Sequence, residues 1–368
     1  MHLTHAPSTL AAGGAIGTHM HGYIAPLRLR LNGDALLSNW RWLAGMSGGA
    51  ACGAAIKADG YGLGAVEVMA RLVRAGCRDF FVSNWGEARA VEPLLDDGVS
   101  LSVLHGVRDE DMAQALASRA RPVLSTPAQA ARWRAAGGGP CDLMVDTGMN
   151  RLGLDWRGGL TAASEGLSII TLLSHLASAD EDTSLNPTQL ARFRDVARQV
   201  KATRYSLANS AGICLGTDYG FDLTRPGLAL YGGVPSPVAA PHIRQVVHPQ
   251  VQILQRRRVM AGDTIGYNAT FTASHDMEVA VLNIGYADGY LRGFSGKGVA
   301  LRGDVRLPVL GRVSMDLLAV DVGTAPWLVE GEWLDIAYDL PAASAASGLS
   351  QYELLTGLGA RYDRIWDG

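Results

Sequence analysis

Between residues 50 and 232 the chain repeats one pattern: a short apolar run, a turn, and a stretch rich in Ala, Leu and Arg. The apolar runs cover residues 51–56, 79–82, 101–104, 122–124, 141–145, 169–173, 205–207 and 228–231. Short apolar runs that alternate with amphipathic stretches are typical of buried parallel strands covered by helices. These repeated units predict an α/β fold with an N-terminal (β/α)8 TIM-like barrel, and a doubly wound open sheet is the alternative.

The pattern changes after about residue 244, where short alternating strands bounded by Gly, Asp and Pro replace the helical period. This alternation predicts a C-terminal, mostly β domain. We therefore divide the chain into a flexible leader over residues 1–22, a barrel domain over 23–243 and a β domain over 244–368. Residues 23–32 also alternate, which leaves open whether this first strand joins the C-terminal sheet.

Composition excludes several classes of protein. Hydrophobic residues make up 48% of the chain and charged residues 18%, which provides apolar surface for large cores and no signature of disorder. The net charge of −3 and the scattered Lys and Arg residues argue against a nucleic-acid partner or a membrane surface. The cysteines form no CxxC pair and no compact disulfide framework, so we expect a cytoplasmic protein without a metal centre.

Polar side chains follow the predicted strands, at the end of the barrel where active sites are built. Lys57 ends the first run, residues 146–151 follow the fifth, Ser174 and His175 the sixth, and Asn209 and Ser210 the seventh. We therefore expect these residues to meet at one end of the barrel.

Lys57 is unusual because it ends an apolar run, and burying the charged side chain of a lysine is energetically unfavourable. Either its ammonium reaches solvent, or the amine is held neutral or as an imine in a dry cavity. The residues after it, Ala-Asp-Gly-Tyr-Gly-Leu-Gly, contain three glycines that let the backbone approach a ligand, and Tyr61 adds a hydroxyl. This context favours the second alternative.

Two later segments could bind the phosphate of a ligand. They are Asn209-Ser210-Ala211-Gly212 and Arg225-Pro226-Gly227-Leu228, beside the late strands where barrels often bind phosphate. Each segment alone is more often a simple turn. Combined with Lys57, they outline a pyridoxal phosphate site.

Tyr267 lies about two hundred residues after Lys57, in Gly-Tyr-Asn-Ala-Thr. A lysine and a tyrosine together can move a proton on and off both faces of one carbon. This pair suggests a racemase, although a tyrosine in this setting could equally stack at a domain boundary.

Seven segments, AAIKADGYGLG, VDTGMNRLG, LANSAG, RPGLALYG, GYNATF, NIGYADGYLRG and GRVSMDL, occur in an order that resembles the alanine racemase family. The resemblance implies a pyridoxal 5′-phosphate enzyme that interconverts L-alanine and D-alanine, supplying D-alanine for peptidoglycan or degrading it. It also implies a head-to-tail homodimer with shared active sites, in the cytoplasm.

The resemblance implies a role for each matching residue. Lys57 would carry the cofactor and act on the face used for the D-enantiomer, while Tyr267 of the other subunit would act on the face used for the L-enantiomer. His175 and Arg225 would support the tyrosine, and Arg225 would also face the ring nitrogen of the cofactor. Besides Lys57 and Arg225, the cofactor-binding residues would be Tyr61, Asn209, Ser210, Gly227 and Leu228. The substrate carboxylate would contact Arg151 and the backbone of Met315, and the entrance would be lined by Asp180, Tyr286, Arg292 and Arg312.

The chain departs from the family at two positions. Many members have a carbamylated lysine that orients the substrate-binding arginine, and here that position is Met144. Arg151 would then be held by a small anion or by Asp142. Members also often offer a C-terminal tyrosine to the phosphate, and alignment from Tyr352-Glu353 puts Ala360 there, with Tyr362 two residues later.

Other functions are possible for such a chain. A racemase of another small amino acid, such as serine, would need the same residues. A related-fold amino-acid decarboxylase would need a cysteine in the C-terminal domain, and none follows Cys214. A pyridoxal phosphate carrier would resemble the barrel alone. An inactive scaffold would have lost some of the residues that carry the chemistry, and none of the central ones is lost here.

Overall fold

The computed structural model describes residues 23–368, and the predicted leader over residues 1–22 lies outside this part of the chain. The first half contains a barrel of short parallel strands. After β1 (Leu27–Asn32), these strands are β2 (Ala51–Cys52), β3 (Ala54–Ala55), β4 (Asp79–Val82), β5 (Ser100–Val103), β6 (Arg121–Leu124), β7 (Cys141–Asp146), β8 (Leu154–Asp155), β9 (Ile169–Leu173), β10 (Arg204–Ser206) and β11 (Leu223–Thr224).

Helices follow most of these strands. They are α1 (Gly33–Met46), α2 (Lys57–Tyr61), α3 (Ala65–Ala75), α4 (Trp85–Val91), α5 (Met112–Ala117), α6 (Pro127–Ala135), α7 (Leu160–Ser164), α8 (Leu185–Gln199) and α9 (Ser210–Cys214). The longer ones cover the outside of the barrel, whereas α2 and α9 are short turns that begin at the strand ends and line a pocket there. Helix α3 shows why these segments are helical: Ala65, Val68, Met69 and Leu72 recur at helical spacing and are all buried.

The barrel closes between its last and first strands. Parallel pairing runs from β3 through β4, β5, β6, β7 and β9 to β10, and β11 pairs with β2. Between β10 and β11, the Asp222 N–H donates to the Tyr205 carbonyl at 3.0 Å. The predicted (β/α)8 fold is confirmed, and the open sheet is excluded.

The predicted eighth strand is wrong. Residues Leu228–Tyr231 form a 3-10 helix, and the strand lies earlier, at Leu223–Thr224. Both segments are fully buried, and a short apolar run has the same pattern in a buried helical turn as in a buried strand. Gly232 ends the turn with φ 95°, a left-handed conformation that glycine adopts without strain.

The second half is a mostly antiparallel β domain with two small helices. Its elements are β12 (Val247–Val259), β13 (Thr264–Ile265), β14 (Phe271–Thr272), β15 (Met277–Leu282), β16 (Val299–Arg302), β17 (Val305–Leu310), β18 (Leu318–Asp321), β19 (Trp333–Ile336), α10 (Leu340–Ser347), α11 (Gln351–Thr356) and β20 (Asp363–Asp367). Strands β1 and β20 pair in parallel, and β13 and β14 form a separate pair. The strand order of the larger sheet is β15-β18-β17-β16-β19-β12-β1-β20, and β15 also pairs with β12. This extra pairing curls the sheet into a second barrel.

Strand β1 crosses between the two halves, because it precedes the (β/α)8 barrel in sequence but lies between β12 and β20 in the C-terminal sheet. Leu27, Leu29 and Leu31 on its inner face are all buried.

The domain boundary at residues 243 and 244 stays a prediction. None of the helices in residues 23–368 is long and apolar enough to cross a membrane.

Candidate active site

A pocket opens where the barrel strands end, and it contains many of the predicted residues. Its walls include Ala55, Lys57, Tyr61, Phe81, Leu104, Met144, Val145, Asp146, Met149, Arg151, Leu152, His175, Asn209, Ser210, Arg225, Gly227, Leu228 and Tyr352. The predicted lysine, arginines, histidine and phosphate-binding residues therefore lie together, although they come from five different strand ends. Tyr267, Met315 and the predicted entrance residues lie outside this pocket in the same chain.

The turn after Lys57 has a strained backbone. Ala58, Asp59, Gly60 and Tyr61 all have positive φ, between 52° and 62°. A non-glycine residue in this conformation costs about 1–2 kcal/mol. Local hydrogen bonds hold the turn, since Asp59 accepts the Ala65 N–H at 2.8 Å and the Gly60 N–H donates to the Ile56 carbonyl at 2.8 Å. Such strain is typical of residues that a fold holds in place for function.

The Lys57 amine lies among positive charges. Burial, Arg151 and Arg225 lower its pKa, and the carboxylate of Glu87 opposes them. A lysine with a lowered pKa is neutral in a larger fraction of molecules at neutral pH, and only the neutral amine can attack a carbonyl carbon. The environment therefore suits a nucleophilic lysine.

At one end of the pocket, backbone and hydroxyl groups form a place for a phosphate. The Ser210 hydroxyl oxygen accepts the N–H groups of Gly227 at 3.0 Å and Ala229 at 3.2 Å, which leaves its own O–H free to donate to a ligand. A Cβ on Gly227 would collide with the Tyr61 hydroxyl, so a glycine is needed for this close approach. The residues present fit the phosphate of pyridoxal phosphate, because they offer neutral donors beside a backbone that a side chain would block.

A stacked aromatic ring positions Tyr61 at this end. Tyr231 stacks on Tyr61 with ring centroids 4.6 Å apart, and its own hydroxyl donates to the Ala55 carbonyl at 2.9 Å. Burial raises the pKa of Tyr61, so its hydroxyl stays protonated and can donate a hydrogen bond.

Arg225 is buried in the pocket wall. Its guanidinium donates to the Ser206 hydroxyl and to the Ser174 carbonyl, the latter at 2.6 Å. Burial lowers its pKa to about 10, so the group keeps its charge at neutral pH. The pocket therefore contains a fixed cation that gives up its proton much less readily than a carboxylic acid would.

His175 lies beside these cations on a loop that helix α8 holds. Gln189 donates to the His175 carbonyl at 3.0 Å and accepts the Ala177 N–H at 2.8 Å. Burial, together with Arg225 and the other nearby cations, lowers the pKa of His175 to about 3. The imidazole is therefore neutral at neutral pH.

Arg151 is presented by a loop that one carboxylate shapes. Asp146 accepts the N–H groups of Gly148, Met149 and Arg151 at 2.8–2.9 Å. The Arg151 guanidinium is exposed toward the pocket mouth and makes no hydrogen bond to any residue among 23–368. Its charge is therefore available to a ligand carboxylate.

The proposed support of Arg151 by Asp142 is wrong. Asp142 is buried, and its carboxylate accepts from the Ser102 hydroxyl at 2.6 Å, the Thr171 N–H at 2.9 Å and Arg121 at 3.3 Å. These partners occupy both of its oxygens. Met144 does line the pocket, so an apolar thioether stands at the position where the family resemblance implies a lysine in many members.

Tyr267 and Met315 lie on the surface of the C-terminal domain. Their exposed fractions are 67% and 53%, which is high for such large side chains. Tyr267 and Arg312 line a separate hollow of that domain, and Arg292 lies over the Tyr286 ring at 5.4 Å from its centroid. Both side chains are therefore accessible to another chain.

Tyr352 lines the pocket and was missed from the sequence. It comes from helix α11, and its ring centroid lies 6.4 Å from that of Tyr61. Burial, with a smaller contribution from Asp180, raises its pKa, so its hydroxyl is a donor. Tyr362 is buried away from the pocket, with Tyr338, Asp288, Arg364 and Tyr290 near its hydroxyl. No sequence signal identified Tyr352, because its position depends on how α11 packs against the barrel.

Comparison with known proteins shows which family this chain is similar to. Residues 31–235 match the model of the alanine racemase N-terminal domain, and residues 246–366 match that of the C-terminal domain. The alanine racemase of Acidiphilium cryptum (strain JF-5) is 39% identical over 350 residues, which are 92% of this chain and 98% of that protein. The alanine racemase of Methylobacterium nodulans is 41% identical over 362 residues, 94% of this chain and 96% of that protein. The crystal structure of alanine racemase from Bartonella henselae with covalently bound pyridoxal phosphate is 34% identical, with a TM-score of 0.86 over 93% of this chain and 99% of that chain.

Proposed function

The chain belongs to the alanine racemase family, and from that premise we propose how its pocket carries out the reaction. The enzyme interconverts L-alanine and D-alanine with pyridoxal 5′-phosphate as cofactor. The observation that carries the assignment of roles is the meeting of Lys57, Arg225 and the Ser210 hydroxyl in one pocket, while Tyr267 stands exposed outside it.

We propose that Lys57 holds the cofactor and that Tyr61, Asn209, Ser210, Gly227, Leu228 and Tyr352 bind its phosphate end. When bound, pyridoxal phosphate is an electron sink that makes the Cα hydrogen of an attached amino acid acidic. Arg225 would lie against the ring nitrogen. A guanidinium gives up its proton much less readily than a carboxylic acid, so that nitrogen would stay unprotonated and the sink would be weak. A weak sink favours simple return of the proton to Cα over transamination.

Two bases would move the proton. Lys57 would take or give the Cα proton on the face used for D-alanine, and Tyr267 would do so on the face used for L-alanine. Arg151 would pair with the substrate carboxylate, a contact that suits a guanidinium to which no residue among 23–368 is hydrogen-bonded. The neutral imidazole of His175 would support Tyr267 through hydrogen bonding, and Arg225 behind it would add positive charge.

We propose that the enzyme is a homodimer with shared active sites. The proposal is supported by Tyr267, which is exposed on the surface of the C-terminal domain and does not line the pocket of its own chain. In a head-to-tail dimer the β domain of one subunit covers the barrel of the other, which would bring Tyr267 and the backbone of Met315 over Lys57. Asp180, Tyr286, Arg292 and Arg312 would then line the entrance.

We place the enzyme in the cytoplasm, where it would supply D-alanine for peptidoglycan or consume it. Cys52, Cys77, Cys141 and Cys214 are all free thiols in the structure. Unpaired thiols are the usual state in a reducing compartment.

The substrate range can be tested with a panel of L-amino acids and the cofactor-loaded protein, followed by chiral chromatography. We expect alanine to be the best substrate and serine to be slower. L-2-Aminobutyrate should have kcat/KM at least about tenfold below that of alanine, because one methylene in an apolar pocket is worth about 1–3 kcal/mol. Faster turnover of serine would reassign the substrate, and release of CO2 without racemisation would indicate a decarboxylase.

A further inference from the structure

The carboxylate of Glu87 lies beside the pocket, and the proposed reaction gives it no role. It lies in the first turn of helix α4, after strand β4, and is half-buried. One of its oxygens accepts the Ser83 N–H at 2.7 Å, and the other accepts the Ala58 N–H at 3.0 Å. Ala58 directly follows Lys57, so one side chain joins the loop after β4 to the turn that carries the lysine.

Helix capping explains only half of this arrangement. Asn84 caps α4 by accepting the Glu87 N–H at 3.0 Å, and the bond from Ser83, the residue before the N-cap, ties the preceding loop to the first turn of the helix. The bond to Ala58 belongs to a neighbouring loop and adds nothing to the cap. It restrains the first residue of the strained left-handed turn, where Ala58 has φ 52°.

The same position in helix α6 shows why an acid is needed here. Gln129 accepts the Ser125 N–H at 2.7 Å and uses its amide nitrogen to donate to the His105 carbonyl of the preceding loop at 3.1 Å. There the second partner is an acceptor, so an amide suffices. Glu87 faces two N–H donors, and only a carboxylate offers an acceptor to each.

Charge gives Glu87 a second effect on Lys57. Within residues 23–368, the charged groups that shift the pKa of the amine are Arg151, Glu87 and Arg225, and His175 stands nearby as a neutral group. Among them Glu87 alone is negative. It partly offsets the two arginines, and the amine would otherwise be still less able to keep a proton.

We propose that Glu87 is a positioning residue for Lys57: it holds the turn that aims the amine into the pocket and offsets the positive charge around it. The proposal rests on the assigned role of Lys57 as the cofactor-bearing lysine. It adds a residue that touches neither substrate nor cofactor and acts only through Lys57.

The test uses the full-length chain freed of cofactor and trace acetylation at a series of pH values, with peptide mapping by mass spectrometry. The sequence has only three lysines, Lys57, Lys201 and Lys297, and the last two are exposed references for the reagent. Because removing a negative charge disfavours the ammonium, Glu87→Gln should shift the Lys57 labelling midpoint to lower pH by about one unit. Glu87→Asp keeps the charge and should return the midpoint to near the wild-type value. Gln129→Ala removes the equivalent link at α6 and should leave it unchanged.

A second measurement separates the effect of Glu87 on the position of Lys57 from its effect on the charge around the amine. The shorter Asp side chain cannot reach both N–H groups, so Glu87→Asp should incorporate pyridoxal phosphate several-fold more slowly than wild type, followed by the visible absorbance of the bound cofactor. An unshifted midpoint in Glu87→Gln would overturn the electrostatic half of the proposal, and wild-type incorporation by Glu87→Asp would overturn the positioning half. If the wild-type protein does not bind the cofactor through Lys57, the proposed function is refuted instead. The labelling midpoints would still show whether Glu87 raises the pKa of the Lys57 amine.

Discussion

Replacing Lys57 with alanine is expected to lower kcat for alanine racemisation in both directions by about 10⁴-fold or more. The loss should be this large because Lys57 would hold the cofactor and also move the proton on one face of Cα. Neither Lys201 nor Lys297 can replace it, since both are exposed and lie outside the pocket. Racemisation of L-alanine and of D-alanine by the purified variant, supplied with excess cofactor, is the measurement.

The matched control is Lys201→Ala, which removes an exposed lysine and should keep wild-type activity. Circular dichroism should show that both variants fold. A Lys57→Ala enzyme that retains more than a few per cent of activity would contradict the assignment of Lys57, because general acid-base catalysis alone contributes about 10²–10⁴-fold.

Tyr267→Ala should affect the two enantiomers unequally. The variant should exchange the α-hydrogen of L-alanine with deuterated water about 10²–10⁴-fold more slowly than wild type, because the base on that face is gone. Exchange of D-alanine should persist in part, because Lys57 still acts on the other face. The measurement is the initial rate of α-deuterium incorporation into each enantiomer by NMR or mass spectrometry.

Tyr23→Ala is the matched control for Tyr267→Ala. Tyr23 is also a largely exposed tyrosine, with 73% of its surface accessible, and it has no assigned role. Its removal should change neither exchange rate. Equal losses for L-alanine and D-alanine in Tyr267→Ala would rule out a two-base mechanism with one base for each face.

Much of the fold could be predicted from the sequence because its signals are local. The short apolar runs and helices such as α3 carry their periodicity in adjacent residues, and the (β/α)8 barrel followed from them. The eighth strand was misplaced because a buried helical turn and a buried strand of four residues look alike. Leu228–Tyr231 is apolar because it is buried against helices α1 and α11, and burial of a helical turn gives the same apolar run as burial of a strand.

Part of the candidate site could likewise be predicted from the sequence, and part could not. Lys57, Arg225 and His175 were identified because each directly follows a predicted strand or belongs to a recognisable segment. Tyr352 and Glu87 were missed, since their relation to the pocket depends on how α11 and α4 pack against other elements. The support of Arg151 was wrongly sought in Asp142, because alternation along β7 does not reveal which polar groups meet a buried carboxylate.

Met144 is the position where the family resemblance implies a departure from many members. A thioether carries no charge that could orient Arg151, and the described residues supply no other hydrogen-bond partner to its guanidinium. Arg151 is therefore held mainly through its backbone, whose N–H donates to Asp146 at 2.8 Å. Substrate itself would then complete the orientation of the side chain.

The central claim is that one active site combines Lys57 of one subunit with Tyr267 of another, and subunit mixing tests it most directly. Lys57→Ala and Tyr267→Ala proteins, each nearly inactive alone, are mixed in equal amounts under conditions in which labelled subunits are seen to exchange. Half of the dimers should then be mixed, and each mixed dimer should have one intact site, which predicts recovery of about a quarter of wild-type racemase activity. No recovery despite proven subunit exchange would place both residues in the site of a single chain and contradict the account.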